Sequence, residues 1–182
     1  MKYTKLNIPD VVLMAPQVFG DHRGFFMETF RSDEFNDNVQ HTGFVQDNHS
    51  MSGKGILRGL HYQIKQPQGK LVRVIEGEVF DVAVDIRKSS PFFGQWAGAI
   101  LSAENKHMLW VPPGFAHGFY VLSDTAQFIY KCTDYYAPEH ERSILWSDKT
   151  ININWPIPDG DMPVLSEKDE KGLSFKDAEV YE

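Results

Sequence analysis

Cysteine is nearly absent: Cys132 is the only one among 182 residues. No intramolecular disulfide is possible, which excludes the stapled secreted scaffolds and suits a reducing compartment. Long apolar runs are missing as well. Nothing approaches the ~18 uninterrupted apolar residues of a membrane helix, and the opening stretch MKYTKLNIPDVVLMAP lacks a signal-peptide core. The expectation is a cytoplasmic protein. Positive charge is in deficit, with 18 Lys and Arg against 25 Asp and Glu and a formal net charge of -7. That balance argues against nucleic acid or an anionic membrane as partner. Helical periodicity is scarce, confined to a weak segment at Ser32 to Asn38 and a turn near Ser166 to Lys171. The lack of a long alternation of strands and helices argues against a parallel α/β fold.

What is present is β pattern. Short alternating runs separated by turn residues extend over Val11 to Phe19, Gly24 to Phe30, Phe44 to Met51, Ile56 to Gln63, Lys70 to Ile75 and Glu78 to Ile86. They continue over Gly94 to Leu101, His107 to Val111, Gly118 to Leu122, Ala126 to Thr133 and Ser143 to Leu145. This spacing predicts an all-β sandwich or barrel with a few short helices. In the run ending at Ile86, Phe80, Val82, Val84 and Ile86 share one side, and Asp81, Asp85 and Arg87 the other, as in a half-buried strand. The chain is long enough to bury roughly 70% of its unfolded surface, and residues 1–182 are expected to form one domain. Its Pro- and Gly-containing tail, from about residue 156, is expected to wrap the barrel.

Several polar residues stand out against this apolar pattern. His61 lies among Arg58, Lys70 and Arg73, cations that favour an anionic ligand such as phosphate. A histidine in a strand is more often structural than catalytic, and exposed cations often just snorkel to solvent. Strict alternation sets Arg58 and His61 on opposite faces, so a shared site requires a bulge, which Gly59 permits. The stretches GLHYQIKQPQGKLVRVIEGEVF and PPGFAHGFYVL correspond to the two motifs of metal-binding cupin barrels, yet each holds a single histidine. Zinc and iron sites usually need three or more protein ligands. No metal is therefore expected, and His61 and His117 are available for acid-base work. Tyr130 fits core filling or, with a polar partner, a general acid. Ser166 and Asp169 have capping-box spacing, which explains Asp169 without any catalytic role. Gln46 and Asn48 share one face of their strand and Asp47 takes the other, while Arg23 and Glu28 flank the turn at Gly24.

Taken in order, DHRGFFMETF, FVQDNHS, LRGLHYQ, QGKLVRVIEGEVFDVAVDIR, SPFFGQW, WVPPGFAHGFYVLSD, YKCTDYYAPEHERSILW and LSEKD make nearly the whole chain resemble the dTDP-4-dehydrorhamnose 3,5-epimerase family. The resemblance implies a jelly-roll, cupin-like barrel, a homodimer, no cofactor and a dTDP-4-keto-6-deoxy sugar as substrate. It implies His61 as the base that removes a proton, Asp169 as its orienting carboxylate, Tyr130 as the opposing acid and Lys70 beside the C4 carbonyl oxygen. Arg58 and His117 match diphosphate or sugar contacts, and Gln46, Asp47, Asn48, Glu141 and Lys168 further substrate contacts. Arg23 and Glu28 match positions that reach the site of the partner subunit.

Other readings share much of this pattern. A single-centre epimerase of C3 or C5 on the same scaffold would keep His61 and Tyr130. A nucleotide-sugar 3,4-ketoisomerase would also use a histidine base, but RGLHYQ and QGKLVR match the epimerases better. A non-catalytic nucleotide-sugar-binding cupin has no evident need of a base and a phenol on opposite sides of a ring.

Overall fold

The computed structural model describes residues 1–182. In chain order its strands are β1 (Lys2–Lys5), β2 (Val12–Ala15), β3 (Val18–Asp21), β4 (Gly24–Met27), β5 (Gln46–Gly53), β6 (Leu57–Gln63) and β7 (Lys70–Glu76). There follow β8 (Glu78–Asp85), β9 (Trp96–Ser102), β10 (Met108–Val111), β11 (Phe115–Val121), β12 (Thr125–Cys132) and β13 (Glu141–Ser143). Helices α1 (Ser32–Asn38) and α2 (Glu167–Glu170) complete the set, and no helix is long and apolar enough to cross a membrane. The run expected over Val11 to Phe19 divides into β2 and β3, because Pro16 carries no amide hydrogen for a ladder.

Two antiparallel sheets face each other as the expected jelly-roll barrel. One has the order β1-β2-β10-β7-β12-β5, the other β13-β6-β11-β8-β9, and β3 and β4 form a separate hairpin. Between the sheets lies an apolar core. Val72, Val74, Leu109 and Phe128 come from the first sheet, and Val79, Ala83, Leu101, Phe119 and Val121 from the second. Helix α1 inserts Phe35 against Val12, Met14, Leu71, Met108 and Trp110 on the outer face of the larger sheet.

The outer face of the smaller sheet is covered by the C-terminal segment. Ile151, Trp155, Phe175, Val180 and Tyr181 pack on Leu60, Tyr62, Val82, Val84 and Ile86. Parallel bridges pair Val164 with Ile56, Leu173 with Ile144 and Tyr181 with Arg87. This covering corrects the reading of β8 as half-buried. Both faces are buried: Phe80, Val82 and Val84 turn outward beneath the C-terminal segment, while Val79 and Ala83 face the barrel interior with Asp81 between them. Asp81 and Asp85 are wholly buried. Alternation separates the two faces but does not say which one another segment will cover.

Candidate active site

Strand β6 sets the geometry through a local irregularity. Opposite β11 its register runs His61 to His117 and then Arg58 to Phe119, so three steps on β6 face two on β11. The extra residue lets Arg58 and His61 point to the same interior side. Gly59 at the bulge has φ +128°, and a Cβ there would stand 2.5 Å from the Cα of Gly118. Only glycine fits such an approach. The amide of Gly59 donates to Asp169 Oδ1 at 3.1 Å.

Asp169 sits at the third helical position of α2, where the sequence pattern gave it a capping role, and it performs that role. Ser166 Oγ donates to Asp169 Oδ2 at 2.6 Å, and Asp169 N donates back to Ser166 Oγ at 3.3 Å. The same carboxylate accepts from His61 Nε2 at 2.6 Å through Oδ1. Capping and orientation are thus two uses of one buried group. Burial by itself would push the Asp169 carboxyl up, but hydrogen bonds from His61, Ser166 and Gly59 bring it down to about 2. For His61, burial dominates and, with the nearby Lys168 and Lys70 cations, holds the imidazole below its ordinary value despite Asp169. At neutral pH the pair is a carboxylate and a neutral imidazole. With Nε2–H committed to Asp169, the lone pair lies on Nδ1, the arrangement of an oriented base.

Across the barrel, Tyr130 and Lys70 come from β12 and β7 of the opposite sheet. Burial raises the Tyr130 phenol and lowers the Lys70 ammonium. The ammonium lies 6.0 Å from the Tyr130 ring centroid. His117 is the cross-strand neighbour of His61, and its Nε2 lies 3.0 Å from both carboxylate oxygens of Asp81. Asp81 was not singled out from sequence, because its position read as solvent-facing; its signal was an acidic residue two strands from His61.

His61, His117, Tyr130 and Lys70 line one cleft of about 340 Å³, together with Gln46, Asn48, Arg58, Tyr136, Glu141 and Lys168. Arg58 Nε donates to Ser52 Oγ at 3.0 Å, and Gln46 Nε2 to Asn48 Oδ1 at 3.1 Å. Glu141 accepts from Lys168 Nζ at 2.8 Å and from the Tyr136 hydroxyl at 3.0 Å. Tyr136 has no sequence signal, since an exposed tyrosine after a strand carries no pattern. No group of three or more His, Cys, Asp or Glu side chains has the makings of a metal site.

Four residues lie elsewhere. Alternation in β5 turns Asp47 to the outer face, where it pairs with Lys131 Nζ at 3.1 Å. Arg73 likewise faces outward, which corrects its grouping with His61: β7 sends Lys70 inward and Arg73 to an outer groove of about 420 Å³ shared with Phe30, Asp47 and Met108. Arg23 pairs with Asp21 on the exposed β3–β4 hairpin, and Glu28 follows it, both outside the cleft.

Known proteins show the same pattern. The family model described as dTDP-4-dehydrorhamnose 3,5-epimerase matches residues 5–177. A relative of that name from Pseudomonas aeruginosa is 59% identical over 182 residues, covering 100% of this chain and 99% of its own. The crystal structure of a Legionella pneumophila dTDP-6-deoxy-D-glucose-3,5-epimerase in complex with dTDP-4-keto-L-rhamnose superimposes with a TM-score of 0.94. It is 51% identical and covers 98% of this chain and 94% of that one. A 3'-monoepimerase from Streptomyces bikiniensis in complex with dTDP-quinovose is more distant, at TM-score 0.87 and 32% identity over 97% of this chain and 88% of that one. By sequence over nearly its full length and by fold, this chain belongs to the dTDP-4-dehydrorhamnose 3,5-epimerase family.

Proposed function

We propose that this chain epimerises dTDP-4-dehydro-6-deoxy-D-glucose at C3 and C5, giving dTDP-4-dehydro-L-rhamnose for dTDP-rhamnose biosynthesis. One observation carries the proposal: an oriented neutral histidine and a protonated tyrosine face each other from opposite sheets across one cleft. A proton beside a ketone is acidic because its removal leaves an enolate. His61 Nδ1 takes that proton, and Asp169 stabilises the imidazolium that forms. The Lys70 ammonium stabilises the enolate oxygen, in a site where little water competes for it. Tyr130 returns a proton to the other face, which inverts the carbon. Arg58 and His117 hold the diphosphate or sugar, with His117 fixed by Asp81. Gln46, Asn48, Glu141 and Lys168 supply further polar contacts. No cofactor is needed, since no electrons leave the substrate.

The enzyme works as a homodimer in this proposal. The β3–β4 hairpin exposes Phe25 and Phe26 by 61% and 70%, and Val18 and Phe19 beside them, an apolar arm that a second copy would bury. Arg23 and Glu28 ride on that arm, and their absence from this chain's own cleft fits a role in the partner subunit's site. The single buried Cys132 suits the reducing cytoplasm.

The structural likeness to a monoepimerase supports a second reading, inversion at one centre only. Proton NMR of the protein with dTDP-4-dehydro-6-deoxy-D-glucose in D2O separates the two. Deuterium at both C3 and C5 is expected; label at one carbon supports the single-centre enzyme, and bound substrate with no label at all means a non-catalytic binder.

A further inference from the structure

A double epimerisation has a proton balance that the acid-base pair alone does not close. In a gluco-configured chair the hydrogens at C3 and C5 stand on the same face of the ring. One base on that face therefore takes both, and one acid on the other face gives both. After the first inversion His61 is an imidazolium and Tyr130 a phenolate, each in the wrong state for the second. Resetting them moves one proton from His61 Nδ1 to the Tyr130 oxygen and leaves both groups neutral. On the double-epimerase reading the sugar ring lies between them, so the proton needs a path around it while the half-converted sugar stays bound.

Adjoining the cleft is a second, narrower chamber of about 90 Å³, more than half of whose lining residues also line the cleft. It shares His61, Lys70, Tyr130 and Glu141 with the cleft and extends past them to Val111 and Phe115. That is several times the ~10–15 Å³ of space that holds one water molecule, so a few fit, and a buried water needs two to four polar partners. Imidazole, ammonium, phenol and carboxylate supply them.

We propose that this chamber is a water-filled relay that carries the proton from His61 back to Tyr130 between the two inversions. The inference rests on the double-epimerase reading above. Waters held there exchange with solvent, so both carbons receive solvent hydrogen. Lys70, at the rim of both spaces, serves the enolate on one side and orients the relay on the other.

The test fills the chamber from a position that is neither the base nor the acid, on the strand that pairs with β7 and opposite Lys70. Val111 is a buried core residue whose side chain borders it. Val111→Leu and Val111→Phe introduce graded bulk there. With enzyme in excess and D2O as solvent, configuration and label at C3 and C5 are read by quenched NMR after one turnover. The expected result is a first inversion close to the unsubstituted rate and a second slowed by about tenfold or more, so that singly inverted sugar accumulates. A folded Val111→Leu protein with an unchanged ratio of doubly to singly inverted product overturns the relay and routes the proton through the open cleft.

Should neither variant fold, the unsubstituted protein decides. A curved dependence of the second inversion on deuterium fraction in H2O–D2O mixtures supports several protons moving together, and a linear one overturns it. If the unsubstituted protein labels only one carbon, the double-epimerase reading has itself failed; if it labels both and the variants are unaffected, only the relay has.

Discussion

Strands β7 and β12 run side by side, and along each of them the inward positions change character. On β7, Val72 and Val74 belong to the apolar core, whereas Lys70 opens to the cleft. On β12, Ala126 is core, Phe128 is core at the floor of the cleft, Tyr130 lines the cleft above it, and Cys132 lies buried near Lys70 and Asn48. The same backbone ladder thus builds a hydrocarbon half and an ionisable half of one barrel. In the first half what matters is volume, because apolar contacts are non-directional and a lost methyl leaves a cavity. In the second what matters is where each lone pair and proton sits. The apolar half is the rigid support that fixes the polar half's geometry.

Substitutions in the two halves should therefore separate stability from chemistry. His61→Ala is expected to lower kcat/KM by about 10³-fold or more, with a stability loss of only about 1–3 kcal/mol from the hydrogen bond taken from buried Asp169. Leu109→Ala, in the apolar half, is expected to cost about 2–5 kcal/mol of stability with near-normal turnover per folded molecule. Thermal melts beside steady-state assays check both, and a collapsed fold in the first or a dead enzyme in the second would erase the division. Asp169→Asn is expected to cut kcat by roughly 10²-fold with KM little changed, because the amide keeps a cap but presents the wrong partner to Nε2. Loss of binding in its place would reduce Asp169 to a cap alone.

The smallest expected effect is in the pH profile. Burial and neighbouring cations hold the His61 imidazole below 6.5, and activity requires its neutral form. The acid limb of kcat/KM should therefore lie below pH 6.5, with activity persisting as pH falls until that lowered value is crossed. A limb at or above pH 6.5 would mean that Asp169 outweighs burial.

Much of this was legible in the sequence, for identifiable reasons. Period-two alternation marks strands wherever one face is apolar, and α1 falls on Ser32–Asn38 as its pattern predicted. The conflict between Arg58 and His61 pointed to a bulge at Gly59, and β6 has one. What failed depended on segments distant in sequence. Asp81 is buried because its side of β8 is the one turned to the barrel interior, while the more apolar side lies under the C-terminal segment, and no local pattern reports that cover. Arg73 was grouped by nearness in sequence, although an odd number of steps from Lys70 turns it to the other face. Asp169 had an adequate local explanation, so its contact with His61, 108 residues away, was reached only through the family resemblance.

The most direct test of a base and an acid on opposite walls is Tyr130→Phe, assayed in D2O beside His61→Ala with inversion and isotope exchange scored separately. Removing the phenol should leave His61 free to exchange the ring hydrogens, so unepimerised substrate gains deuterium while inversion stops. Removing the imidazole should abolish exchange and inversion together. Inversion at close to the normal rate in Tyr130→Phe, or exchange that survives in His61→Ala, would contradict the assignment.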